Sequence, residues 1–167
     1  MTLSARSTST SPGVFELRTP ADLRRKLIAD LSQLKSRPTD SYSAFNFFVT
    51  AEALLDWTYP GRAATPRRTL EKKGSIPLQI CSHVASGAKH FQVEDSRHRS
   101  VSGTHAGGGF FPASYFGPRY WGSSYWSKPH LVVKLTGAAA DLYGPSIPAL
   151  TLGEIVLAYW NEHPLLL

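Results

Sequence analysis

The chain holds one cysteine, Cys81, in 167 residues. A single thiol excludes an intramolecular disulfide, and such sparing use of cysteine fits a reducing compartment. The expected location is the cytoplasm. Charge is also sparse, at 18% of residues against 42% hydrophobic. That balance excludes a wholly disordered chain, because enough apolar surface exists to offset the entropy of ordering. Long apolar runs are missing. The nearest, Leu150 to Trp160, is interrupted by Glu154 and falls far short of the roughly 20 residues that span a bilayer. The first 30 residues lack the apolar centre of a secretory signal, since Pro12-Gly13 and several Ser and Thr stand there. No membrane partner is expected. A Gly-rich phosphate loop and a Gly-x-Ser-x-Gly elbow are both absent, and no cofactor is expected.

The length suits one domain. Residues 1–14, rich in Ser and Thr and ending near Pro12-Gly13, read as a flexible tail, which leaves 15–167 as a single helical domain. Thr19-Pro20 followed by Asp22 is a helix start, and Leu23, Leu27, Leu31 and Leu34 recur at helical spacing. Thr39-Asp40 caps a second helix to about Tyr59, with a broad apolar surface of Tyr42, Phe45, Phe48, Val49, Ala53, Leu54, Leu55 and Trp57. Residues 61–74 read as a basic linker. A third helix runs from about Ser75 to Phe91 on Ile76, Ile80, Val84 and Gly87/Ala88. A last helix is expected from Thr151, with Glu154 in capping-box position and Leu152, Ile155, Val156, Tyr159 and Trp160 on its core face.

Between the third and last helices the pattern changes. Residues 92–149 form an aromatic, glycine-rich insertion, with eight aromatics between Phe110 and Trp126. Short strands are expected around 110–115 and 120–126, and His130 to Leu135 is the best strand in the chain. Gly144-Pro145 and Pro148 mark turns. The fold class expected is α+β and mainly helical: a four-helix bundle-like frame with a small β insertion between the third and last helices.

The net charge is +6, and it is uneven. Residues 1–37 carry a local +4, and Arg62, Arg67, Arg68, Lys72 and Lys73, offset only by Glu71, carry another +4. Together with Lys89, Arg119 and Lys128 these cations are the candidate binding residues, able to attract the phosphates of RNA or DNA. The aromatic insertion has three readings: a secondary core over a short sheet, a protein-interaction surface, or a stacking platform for nucleic acid.

Four histidines, His83, His90, His98 and His105, fall close together. Their intervals do not match a short zinc-finger spacing. Glu52 and Asp56, one turn apart, are placed to face His83 and His90, two turns apart, so these four are the candidate metal ligands in a site that is not favoured, because paired Glu-x-x-His motifs are absent. Lys89-His90-Phe91 at a helix end reads first as a cationic cap with an apolar anchor, and second as a proton-transfer site at His90. Cys81 reads as a small buried side chain.

The segment from Ile80 to Phe91, with its Gly87-Ala88-Lys89-His90-Phe91 ending, resembles small bacterial and phage proteins of uncharacterised function that carry a Gly-x-Lys-His-Phe pattern at the end of a bundle helix. More remotely, the helical order resembles the HEPN superfamily of four-helix domains. Many of that superfamily's active members are metal-independent ribonucleases in which an Arg and a His, separated by a short spacer, cluster across a dimer. Arg99 and His105, with five residues between them, have that spacing. The family's pair opens a helix, whereas Arg99 and His105 read here as lying in a Ser/Gly loop. The resemblance implies that Arg99 stabilises phosphate charge and that His105 or His90 moves a proton.

The leading expectation is a non-catalytic binding or interaction domain, with a homodimer or another protein as partner. A HEPN-like ribonuclease or toxin component, and an accessory nucleic-acid-binding module, are the alternatives.

Overall fold

Thr19 starts the first helix by a reciprocal exchange of hydrogen bonds. In the computed structural model, which describes residues 15–89 (apart from the Lys89 side chain), 100–107 and 129–163, α1 spans Pro20–Ser36. Asp22 N–H donates to Thr19 Oγ1 at 3.2 Å, and Thr19 N–H donates to the Asp22 carboxylate at 2.8 Å. The Arg18 amide, then the Thr19 hydroxyl and amide, hold the Asp22 carboxyl below the usual carboxylate range. Helix α2 spans Ser41–Thr58, and Asp40 caps it by accepting from the amides of Tyr42 and Ser43. The expected leucine stripe of α1 is buried in full.

On α2 the buried positions are 43, 44, 47, 48, 50, 51, 54, 55 and 58, a stripe repeating every three or four residues. Phe47 and Phe48 are its centre, edge to face at 5.3 Å. Tyr42 and Phe45, expected in the core, instead lie on the opposite side of the first turns, 82% and 43% exposed. Helices α4 (Ile76–Lys89) and α6 (Ala149–Glu162) complete the frame. The buried residues of α4 are Leu78, Ile80, Cys81, Ser82 and Ala85, so Ile76 and Val84 flank the buried stripe rather than form it. Gly153 lets α6 approach closely: a Cβ there would sit 2.8 Å from Leu31 Cδ1 and 3.2 Å from the Phe47 ring.

Three expectations need correcting. Residues 61–74 are not a linker: a 3-10 turn, Arg62–Ala64, leads into α3, Thr65–Gly74. Pro66 suits a helix start and the Arg, Lys, Glu and Leu that follow are good helix formers, but without an apolar stripe the helix is silent to a periodicity reading. Gly61, at φ +80°, makes the sharp entry. Thr151 does not cap the last helix. It lies inside α6, whose N-cap is Pro148 with no side-chain cap bond. The chain reaches that helix directly from β3, Ser146–Pro148, where turns were expected.

The sheet has the order β1-β2-β3, with β1 at Val101–Gly107, β2 at His130–Leu135, and both pairings antiparallel. A short α5, Ala138–Tyr143, connects β2 to β3. Val133, Leu135 and Ile147 pack this small sheet into the core with the helices. Among the described residues 69% are helical, which is the mainly helical frame with a small late sheet that the sequence led us to expect. No described helix is long and apolar enough to cross a membrane. The N-terminal tail to residue 14, His90, Phe91, His98, Arg99, Arg119, Lys128 and the eight aromatics lie outside the described residues.

Candidate functional site

Three helices each supply one member of a closed polar triangle. Lys72 Nζ of α3 donates to Glu52 Oε1 of α2 at 2.6 Å and to Ser82 Oγ of α4 at 2.9 Å. Ser82 Oγ in turn donates to Glu52 Oε1 at 3.1 Å. A serine beside a lysine invites a nucleophile–base reading. Here the lysine faces a carboxylate, and the hydroxyl is turned to that same carboxylate and is buried. The triangle therefore fastens α2, α3 and α4 to one another.

The neighbouring contacts have the same character. Arg68 of α3 lies 3.4 Å from Asp56, donates through Nη1 to the Tyr59 carbonyl at 2.7 Å, and through Nη2 to Thr65 Oγ1 at 2.9 Å. Glu71 accepts from Tyr59 Oη at 3.2 Å and from Tyr159 Oη at 2.9 Å, joining α3 to the end of α2 and to α6. Burial, then the hydrogen bond to Glu71 and its negative charge, push the Tyr159 phenol well above its ordinary range; burial and Glu71 raise Tyr59 in the same direction. On the other side of the frame, Lys26 donates to Asp30 at 2.5 Å and to Thr50 at 2.8 Å, linking α1 to α2.

A groove of about 470 Å³ lies between α2, α3 and α4, with Glu52, Asp56, Arg68, Lys72, Lys73 and Ser82 in its walls. The five cations of the basic segment thus divide. Arg68 and Lys72 are engaged inward. Arg62, Arg67 and Lys73 are exposed, with the Arg67 guanidinium 4.7 Å from the centre of the Tyr59 ring.

The carboxylates and histidines expected to share a metal are separated. Glu52 and Asp56 line the α2–α3–α4 groove and pair with cations, whereas His83, one residue beyond Ser82, lines a second groove of about 760 Å³ between α2, α4 and β1. His83 Nδ1 accepts from the Val101 amide at 3.0 Å, which fixes the proton of the neutral ring on Nε2 and ties α4 to β1. Among the described residues no group of three or more His, Cys, Asp or Glu gathers to hold a metal ion. His105 also lines the second groove, but on strand β1 rather than in the expected loop, opposite Val132 in the register and exposed. The reason is pairing: residues 103–107 lie in antiparallel register with the strong β-former run at 130–134, after a shift between Val101 and Gly103 that leaves Ser102 without a partner in the register.

Cys81 is 1% exposed, with Sγ 3.6 Å from the Phe48 carbonyl oxygen. Burial pushes its thiol far up, so the neutral form persists and the side chain is a core residue. Tyr59, Glu71, Ser82 and Tyr159 also belong to the polar cluster, although none stands out in the sequence as a site residue. The available signal was the spacing of Arg68, Glu71 and Lys72 at i, i+3 and i+4, which puts all three on one helical face.

The fold and site together define a mainly helical α+β domain with a polar fastening at the α2–α3–α4 junction. No family model matches the chain, and neither a curated protein nor a solved structure matches it.

Proposed function

We propose that the chain is a non-catalytic binding or interaction domain. One observation carries this reading: the side chains most suggestive of chemistry are already bonded to one another or buried. Glu52, Lys72 and Ser82 close a triangle, Asp56 and Arg68 pair, His83 holds the β1 backbone, and Cys81 lies in the core. A catalytic base or nucleophile needs a lone pair directed at substrate. A cytoplasmic location accompanies the proposal, supported by the single buried thiol. Assembly as a homodimer is part of the same reading.

A nucleic-acid-binding variant of this reading is favoured by the exposed Arg62, Arg67 and Lys73, on the turn before α3 and on α3 itself. The ribonuclease alternative rests on the resemblance and on Arg99 with His105. In that superfamily the pair opens a helix, and His105 here belongs to a strand.

The test is incubation of the purified chain with fluorescently labelled single-stranded RNA in the presence of a metal chelator. The RNA is expected to remain intact, and any retention of it to weaken as salt rises. Cleavage by the unaltered protein that disappears in a folded His105→Ala variant would overturn the non-catalytic reading.

A further inference from the structure

We propose that α3 is a strap held to the helical frame by polar contacts, which opens as a unit and uncovers the α2–α4 face while the core stays folded. Helices α1, α2, α4 and α6 each set side chains into the apolar core. Helix α3 differs from all four. None of its ten residues is buried. Its one leucine, Leu70, is 73% exposed, and no α3 side chain joins the core cluster of described residues or packs against it.

What holds α3 down is polar: besides Arg67 over the Tyr59 ring and the Lys73 carbonyl accepting from Gln79, three side chains on one face reach the frame. Arg68 reaches Asp56 and the Tyr59 carbonyl, Glu71 reaches Tyr59 and Tyr159, and Lys72 reaches Glu52 and Ser82. Two of these contacts pair a charge with a charge, three pair a charge with a hydroxyl, and one pairs a charge with a carbonyl. Apolar burial survives added salt, whereas contacts between part-exposed charges weaken as the ionic atmosphere screens them. A segment with few apolar contacts also has a low free energy of local opening.

The ends of the segment permit the motion. Gly61 turns the chain at φ +80° before it, and Gly74 ends it with no atom close enough to crowd a side chain. Beneath it lie Leu55 and Ser82, each 3% exposed in the closed form. Opening turns this covered floor into accessible surface. Its use by a partner rests on the binding-domain reading; the opening itself does not.

Hydrogen exchange of the full chain, read peptide by peptide by mass spectrometry across a sodium chloride series, tests the strap. The amides of residues 65–74 are expected to lose about tenfold in protection between roughly 0.05 M and 1 M salt, while α1 and α2 keep theirs. Glu71→Gln, which removes the charge but keeps an acceptor, is expected to lower α3 protection at low salt and leave α1 and α2 unchanged. If α3 exchanges in step with α1 and α2 throughout the salt series, or is already unprotected at low salt, the proposal is overturned. The salt series on the unaltered chain decides the matter even where the variant does not fold. No ligand is involved, so the strap and the binding-domain reading stand or fall separately.

Discussion

Phe47→Ala is expected to destabilise the protein by about 3–5 kcal/mol, the largest effect of any single truncation considered. Phe47 is fully buried at the point where α1, α2 and α6 meet. Its ring stands edge to face with Phe48 and lies within 3.2 Å of where a Cβ on Gly153 would be. Removing the ring forfeits its transfer free energy and leaves a cavity that three helices cannot close without moving their own side chains. Urea unfolding followed by circular dichroism measures the loss. Tyr42→Ala, on the same helix but 82% exposed, is the control and should change stability by less than about 0.5 kcal/mol. Equal losses at the two positions would contradict the assignment of the core face.

The second large effect is expected at Gly153. Even one added carbon there would lie 2.8 Å from Leu31 Cδ1 and 3.2 and 3.3 Å from two Phe47 ring atoms. The leucine methyl is the end of a flexible side chain and can turn aside. The phenylalanine ring is enclosed and cannot. Alanine gains roughly 1 kcal/mol of helix propensity over glycine, which offsets part of the crowding. Valine adds two branches in the same space and should cost about 1–3 kcal/mol by the same unfolding measurement. A Gly153→Val protein as stable as the parent would mean that α6 does not approach α1 and α2 this closely.

Where the sequence was informative, it spoke through apolar spacing and capping chemistry. The leucines of α1, the Thr19 and Asp40 caps and the strand at 130–135 are all present as expected. Each depends on residues within a turn or two of one another, so local pattern suffices. The whole of α3 escaped because a helix fastened by polar groups leaves no hydrophobic period to read. The α6 start was misplaced for a related reason: Thr151 and Glu154 have the spacing of a capping box, but β3 delivers the chain at Pro148, one residue before the helix begins. Tertiary position overrode a valid local signal.

The candidate site was legible only in its residue types. Glu52, Asp56, Arg68 and Lys72 were each singled out, the acids as metal ligands and the cations as phosphate binders. The fold brings acids and cations to each other, and so satisfies both. Those assignments depend on which faces of α2 and α3 meet, a long-range fact that residue spacing within one helix does not contain. Glu71 went unnoticed as a site residue for the same reason, since its two partners lie 12 and 88 positions away.

Glu52, Lys72 and Ser82 fasten α2, α3 and α4 to one another. A double-mutant cycle of Glu52→Gln and Lys72→Met, read in the free energy of α3 opening from hydrogen exchange, tests it most directly. A coupling of about 1 kcal/mol or more is expected between the two positions, because each single change strands a part-buried charge that the other had paired. A coupling within about 0.3 kcal/mol of zero, with each variant leaving α3 as protected as before, would contradict it.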